Sequence, residues 1–229
     1  MNKSRGYFIT GTDTGVGKTA VSLGLMQALQ ARGNSVVAMK PVAAGCVPTP
    51  GGLRNDDALR LQQQASIDLD YARINPCAFA PAIAPHIAAE QAGVRIDIND
   101  ITNKYSELSC VSDCVIVEGA GGWLVPLNAD ETLADLALQL DLEVIMVVGI
   151  RLGCLNHALL TVAAIAAAGC TLAGWVANQL PPALEGAQEN INYLKSRISA
   201  PLLGALPVMP VVSAGAVADS LSLSALANS

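Results

Sequence analysis

The run Gly11-Thr12-Asp13-Thr14-Gly15-Val16-Gly17-Lys18-Thr19 carries the densest chemistry in the chain. Gly15 and Gly17 let backbone N–H groups turn inward around phosphate oxygens with no Cβ in the way. A helix that follows points its positive end at the same anion. Lys18 supplies a mobile positive charge to β- and γ-phosphates, and Thr19 offers a hydroxyl to Mg²⁺. The spacing departs from the commonest phosphate loop: Gly11 stands one residue early for G-x4-GK[ST], and Thr12 takes the usual glycine position. A strand–helix turn that merely uses glycines is the bland alternative. A strand before, a helix after and an intact Gly-Lys-Thr favour nucleotide binding.

Three further charged residues stand at strand or helix ends. Glu118 directly follows the apolar run Cys114-Val115-Ile116-Val117. That puts it at a strand's carboxyl end, where open α/β sheets place their ligands, and where an acid can hold Mg²⁺ directly or through water. An exposed strand-end glutamate is the alternative. Lys40 closes a second apolar run just before Pro41, which stops a strand ladder. It either points into the same crevice or is solvated. Asp57, beside Asp56 and Arg54, is a metal carboxylate or a helix N-cap. The two histidines, His86 and His157, have no second His or Cys at ligand spacing, which argues against a metal site built on them.

These residues need a scaffold, and the pattern supplies one. Tyr7–Thr10 reads as a first strand, then a helix from Lys18 to about Arg32, with Val21, Leu25, Ala28 and Leu29 at helical spacing and Gly33 as its stop. Ser35–Met39 is the next strand. Residues 44–56 read as an active-site loop, ordered or mobile, and a helix follows from Asp57 to about Gln64. The stretch 66–112 has no clear assignment. Strands are expected at Val111–Val117, Glu143–Val148 and Leu172–Ala177. Helices are expected at Thr132–Leu140 and Asn156–Ala168, the latter stopped at Gly169. Alternation at this rhythm predicts one α/β domain over residues 1–229: a doubly wound, mostly parallel sheet with helices on both faces. The Ala/Ser-rich tail beyond Val211 reads as a loose helix or a partly disordered segment.

Composition agrees with that class. The chain is 52% hydrophobic but only 3% aromatic, so Ala, Val, Leu and Ile must fill the core. No apolar run is long enough to span a bilayer, and no signal-peptide pattern opens the chain, so a cytoplasmic protein is expected. The cysteines at 46, 77, 110, 114, 154 and 170 form no CxxC pair and read as reduced thiols. A net charge of −6 argues against a nucleic-acid surface.

Taken in order, GTDTGVGKT, MKPVAAG, GLRNDDA, AIAPHIAA, VIVEGAGGWLVPL, VVGIRLGCLNHALLT and LAGWVANQ resemble the dethiobiotin synthetase family across nearly the whole chain. The phosphate loop is shared with many ATPases, whereas the combination of KPVAAG, EGAGGW and GCLNHA is specific. The resemblance implies an ATP-dependent ligase of biotin biosynthesis with a P-loop fold. In it, 7,8-diaminononanoate captures CO2 as a carbamate, ATP phosphorylates the carbamate to a mixed anhydride, and the second amine closes the ureido ring. Phosphate and ADP leave.

By position, the resemblance assigns Gly15, Val16, Gly17, Lys18, Thr19 and Ala20 to the phosphates, with Lys18 also touching the carbamate. Thr19, Asp57 and Glu118 would ligate Mg²⁺, and Lys40 would be the active-site lysine. Glu118, Gly119, Ala120 and Gly121 match further nucleotide contacts. Asn178 and Gln179 would recognise adenine beside Pro207, Val208 and Met209. Gly153, Cys154, Leu155 and Asn156 resemble the segment that receives the substrate's distant carboxylate at a homodimer interface. Three positions depart from the family pattern: Gly15 replaces a glutamate of some members, Ala44 a substrate-contacting serine of many, and Ala214 an acidic contact to ATP. Two rivals share the ATPase core. A partition-type switch carries an extra lysine near the loop's start, where this chain has Thr12-Asp13-Thr14. A cobyrinate-type amidoligase generally needs a glutaminase partner.

Overall fold

A computed structural model describes residues 5–228. In chain order, β1 (Arg5–Gly11) leads into α1 (Lys18–Gln30) and β2 (Val36–Met39). Short strands β3 (Val42–Ala43), β4 (Val47–Thr49) and β5 (Gly52–Arg54) precede α2 (Asp56–Gln64). Then come α3 (Tyr71–Ile74), β6 (Cys77–Ala78), α4 (Pro85–Gln91), α5 (Ile98–Ser109) and β7 (Cys114–Glu118). The second half holds α6 (Leu133–Gln139), β8 (Glu143–Ile150), α7 (Cys154–Ala167), β9 (Leu172–Gln179), α8 (Ala187–Arg197), β10 (Leu202–Leu206) and α9 (Ala214–Asp219). A 3-10 turn spans Ala225–Asn228.

Six strands pair in the order β10-β9-β8-β1-β7-β2, every pair parallel. Period-2 alternation sends successive side chains to opposite faces. Tyr7 and Ile9 of β1, with Val36, Ala38 and Ile116, pack against Val21, Leu25 and Met26 of α1 and Val217 of α9. Phe8, Val37, Met39, Val115 and Val117 pack on the other face against Ile101 and Leu108 of α5 and Leu136 of α6. Met146, Val148 and Trp175 continue that second face under Ala158 of α7 and Ile191 and Leu194 of α8. The sheet is thus doubly wound, with helices on both faces and β1 near its middle.

Local chemistry explains the element ends. Thr132 is the N-cap of α6, accepting from the Ala134 N–H at 3.2 Å while Asp135 Oδ2 accepts from the Thr132 N–H at 2.7 Å. This reciprocal box starts the helix one residue after the position read from sequence. Gly24 lies inside α1, where glycine is unfavourable by about 1 kcal/mol. A Cβ there would fall 2.4 Å from Val217 Cγ1, so the missing side chain is what lets α9 press onto α1.

Several expectations are corrected. The third predicted strand begins at Cys114 rather than Val111, because α5 and its C-cap Cys110 occupy the preceding residues and leave Val111 exposed. Residues 44–56 hold an antiparallel hairpin, β4–β5. The unassigned stretch 66–112 contains α3, β6, α4 and α5, and the edge pair α8–β10 was not anticipated. The tail beyond Val211 includes α9, whose N-cap Ser213 accepts from the Ala216 N–H at 3.2 Å. No helix among the described residues is long and apolar enough to cross a membrane.

Candidate active site

The glycine-rich loop leaves β1 and enters α1 at Lys18, with Gly17 as a left-handed N-cap (φ 95°). Two constraints meet at Gly17. An L side chain disfavours that φ, and its Cβ would stand 2.2 Å from Asn178 Nδ2. The same Asn178 Nδ2 donates to the Val16 carbonyl at 2.8 Å, so the end of β9 clasps the loop from behind. Asn178 pairs in register with Leu206, which sets Pro207, Val208 and Met209 beside Asn178 and Gln179 at the ends of neighbouring strands.

Strand order brings the other charges together. Because β7 lies between β1 and β2, the carboxyl ends of all three open on one crevice. Glu118 is fully buried there, and Lys40 is 5% exposed, so neither is the solvated strand-end residue that sequence left open. Lys40 Nζ donates to Glu118 Oε1 at 2.6 Å and to the Gly119 carbonyl at 3.2 Å, with Asp57 Oδ2 at 3.6 Å. Thr19 Oγ1 donates to the same Glu118 Oε1 at 2.9 Å. Burial works to lower the Lys40 pKa, but the Glu118 and Asp57 carboxylates outweigh it and hold the ammonium above its ordinary value. Lys18 is different. Burial first, then repulsion from Lys40, push its pKa down to about 8. Its Nζ rests on the carbonyls of Asp13 (2.9 Å) and Gly121 (2.6 Å), acceptors from which a phosphate can draw it.

Thr19, Asp57 and Glu118, read from sequence as a cation site, therefore converge. Both carboxylates reach one ammonium, so both can reach one cation. Glu118 Oε2 is buried and has no hydrogen-bond partner, an orphan acceptor that suits a hard dication. Among the described residues no group of three or more His, Cys, Asp or Glu forms a metal cluster, so the set combines two carboxylates with one hydroxyl.

A brace that sequence did not reveal holds Lys40 and Asp57 in register. The Lys40 N–H donates to the Ile74 carbonyl at 2.7 Å, and buried Asn75 Nδ2 donates to the Lys40 carbonyl at 2.7 Å. Tyr71 Oη donates to Asn75 Oδ1 at 2.9 Å and accepts from the Asn55 N–H at 2.8 Å. Asn55 in turn caps α2, accepting from the Ala58 N–H at 3.2 Å. The helix cap is therefore Asn55, and Asp57, the second residue of α2, is free of the capping role. The available signal was a lone Asn before Pro76 in an apolar neighbourhood, which is too common a pattern to single out.

A cleft of about 890 Å³ opens over this cluster. Gly15, Gly17, Lys18, Thr19, Ala20, Lys40, Ala44, Asp57, Glu118, Ala120 and Gly121 all line it. Val16 turns under the loop into the core, and Gly119 contributes its carbonyl to Lys40. At Ala44 the wall is a methyl group. Gly153, Cys154, Leu155 and Asn156 do not line the cleft. α7 starts at Cys154, two residues before the predicted Asn156, because Gly153 takes the left-handed cap (φ 91°); Asn156 lies inside the first turn and makes no cap bond. Arg151, just before this segment, pairs with Asp13 of the glycine-rich loop. A second cavity of about 410 Å³, among Arg54, Gln62, Asp68, Asp70, Tyr71 and Arg73, mixes both signs of charge and contains none of the predicted site residues.

A parallel sheet whose first strand turns through glycines into Gly-Lys-Thr at a helix N-terminus, with a buried acid ending the adjacent strand, defines a P-loop nucleoside-triphosphate-binding protein. A family model described as an AAA domain matches residues 5–216. MinD cell division protein from Aquifex aeolicus superposes with a TM-score of 0.55 at 16% identity, covering 96% of this chain and 88% of that one. Signal recognition particle receptor FtsY from Elizabethkingia anophelis gives 0.53 at 14% identity, and this chain spans 64% of it. Both likenesses concern the fold. ATP-dependent dethiobiotin synthetase BioD of Pseudomonas aeruginosa (strain UCBPP-PA14) is 50% identical over 218 residues, covering 95% of this chain and 96% of that protein. The same enzyme of Xanthomonas oryzae pv. oryzae (strain PXO99A) is 47% identical over 217 residues, 95% of this chain and 97% of that one. The chain belongs to the ATP-dependent dethiobiotin synthetase family.

Proposed function

We propose that this chain catalyses ATP-dependent closure of the ureido ring of dethiobiotin from 7,8-diaminononanoate and CO2, acting as a single ligase domain in the cytoplasm. The observation that carries the reading is the buried Lys40 beside the phosphate loop. Lys18 already serves the phosphates, so a second, preorganised ammonium at the same crevice suits a second anion, the carbamate. Family membership supports the identity of the diamine.

In this reading the N–H groups from Gly15 to Ala20 and the Lys18 ammonium bind the phosphate chain, Lys18 leaving its two carbonyl acceptors to do so. Asn178, Gln179 and Pro207–Met209 receive adenine. Lys40 steadies the carbamate oxygens while they attack the γ-phosphorus, and then the charge that develops as the second amine attacks the carbonyl and phosphate departs. No side chain becomes covalently attached. Positioning and neutralisation are the protein's contribution. Thr19, Asp57 and Glu118 would hold Mg²⁺, which when bound neutralises charge on the β- and γ-phosphate oxygens.

The diamine's carboxylate lies several carbons from its amines. At the start of α7 the Cys154 N–H already donates to the Arg151 carbonyl at 3.0 Å, which leaves the Leu155 and Asn156 N–H groups to suit a carboxylate, yet the segment lies off the chain's own cleft. Leu152, 91% exposed, and Leu160, 61% exposed, flank it. These features support a homodimer in which the segment completes the neighbour's cleft. The test is phosphate release from ATP together with dethiobiotin formation. Both should require the diamine and bicarbonate. ATP hydrolysis indifferent to both would overturn the reading in favour of a nucleotide switch.

A further inference from the structure

Arg60 lines the same cleft, and none of the assignments above uses it. It sits on α2 one turn after Asp57, and residues three apart share a helix face. Side chains on a helix lean toward its N-terminus, so Arg60 leans back toward the cleft rather than out along α2. The neighbouring Asp57 does not neutralise it, because that carboxylate turns to Lys40. Among the described residues no hydrogen bond, ion pair or ring contact engages the Arg60 guanidinium, although Arg54, Arg73, Arg95, Arg151 and Arg197 all have such partners. In a chain of net charge −6, an unpaired guanidinium on the wall of an anion-binding cleft stands out.

We propose that Arg60 is a further nucleotide-binding residue that grips the phosphate chain of ATP from the α2 side, opposite the glycine-rich loop. The proposal rests on the reading of this cleft as the ATP site. The location favours the nucleotide over the carbamate: Lys40 marks the carbamate end, whereas Arg60 stands one turn beyond Asp57 on α2, which packs beside α1 with Leu61 and Ala20 in one apolar cluster. Ala20, which follows the Gly-Lys-Thr, and Val212, just before α9, line the cleft as well. A planar guanidinium offers paired N–H donors that match two phosphate oxygens at once, which an ammonium cannot do.

The experiment is calorimetric titration of ATP with Mg²⁺ into the wild-type protein, Arg60→Gln and Arg60→Lys, alongside steady-state kinetics. Glutamine keeps helix propensity, so α2 stays formed and the melting temperature stays near wild type. Arg60→Gln should raise the Kd for ATP about tenfold or more, the size of one lost charge-assisted contact. Arg60→Lys should recover part of it, and the KM for diaminononanoate should change less than about twofold. Unchanged ATP affinity in a folded Arg60→Gln protein would overturn the proposal, as would a loss confined to the diamine's KM. A wild-type protein that takes up no ATP would instead overturn the nucleotide site itself, and the role of Arg60 with it.

Discussion

Two regions of the molecule serve the proposed reaction and are built differently. The charge cluster at the ends of β1, β2 and β7 is buried and tightly paired: Lys40, Glu118 and Thr19 are in mutual contact with only Glu118 Oε2 left without a partner, and the Asn55–Tyr71–Asn75 brace fixes the Lys40 backbone and the start of α2. The start of α7 is open. Its cap is a bare glycine, the Asn156 side chain makes no cap bond, and Leu152 and Leu160 are exposed. Chemistry that must stabilise developing charge gains from a rigid, dry setting, where each interaction is stronger than in water. A segment that, as proposed, receives a distant carboxylate gains nothing from being sealed before its substrate arrives. The difference separates a charge cluster that one chain assembles from its own strands from a helix start that stands open, the feature on which the proposed homodimer rests.

The comparison breaks most visibly at Lys40. Lys40→Ala should lower kcat about a hundredfold or more, while ATP binding by calorimetry stays measurable. It should also cost about 3 kcal/mol of stability in thermal melts, because buried Glu118 loses its counter-ion and keeps only the Thr19 hydroxyl. Retained synthesis would reduce Lys40 to a structural ion. Asn75→Ala sharpens the same point through the backbone. It touches no substrate, so kcat should fall about tenfold with ATP affinity unchanged, and stability should drop by about 1–3 kcal/mol from the orphaned Lys40 carbonyl and Tyr71 hydroxyl. The smallest effect belongs to the open region: Asn156→Ala should raise the KM for diaminononanoate several-fold, roughly one hydrogen bond's worth, with kcat, the KM for ATP and the melting temperature nearly unchanged. A large stability loss at Asn156 would show that the α7 start is as closed as the crevice.

How much of this was legible in the sequence follows the same divide. The phosphate loop and Glu118 each announce themselves by a local rule, glycines before Gly-Lys-Thr or an acid ending an apolar run, whereas Lys40 stays open between crevice and solvent until the family resemblance assigns it. The parallel core strands were readable because strands buried on both faces are continuous apolar stretches. What local rules cannot express was missed. The Asn55–Tyr71–Asn75–Lys40 brace joins residues up to 35 positions apart, and no one of them is unusual where it stands. Stretch 66–112 breaks into elements as short as Cys77–Ala78 and Tyr71–Ile74, too brief for any period to emerge. Asp57 could not be separated from a cap by pattern alone, since Asn55, Asp56 and Asp57 are all capping types. Only geometry gives that role to Asn55. No local rule singles out Arg60; its place on the cleft wall without a partner among the described residues does.

Whether the open region serves a neighbour is settled most directly by mixing two defective chains. Lys40→Ala homodimers should be inactive, and Asn156→Ala homodimers should work only with a raised KM for diaminononanoate. When the two are dissociated together and reassembled, a shared site pairs the intact cleft of the Asn156→Ala chain with the intact α7 start of the Lys40→Ala chain. Activity with the wild-type KM for the diamine should then appear. If the mixture shows only the raised KM of the Asn156→Ala protein, or if the wild-type protein sediments as a fully active monomer, each chain completes its own site and the division drawn here is wrong.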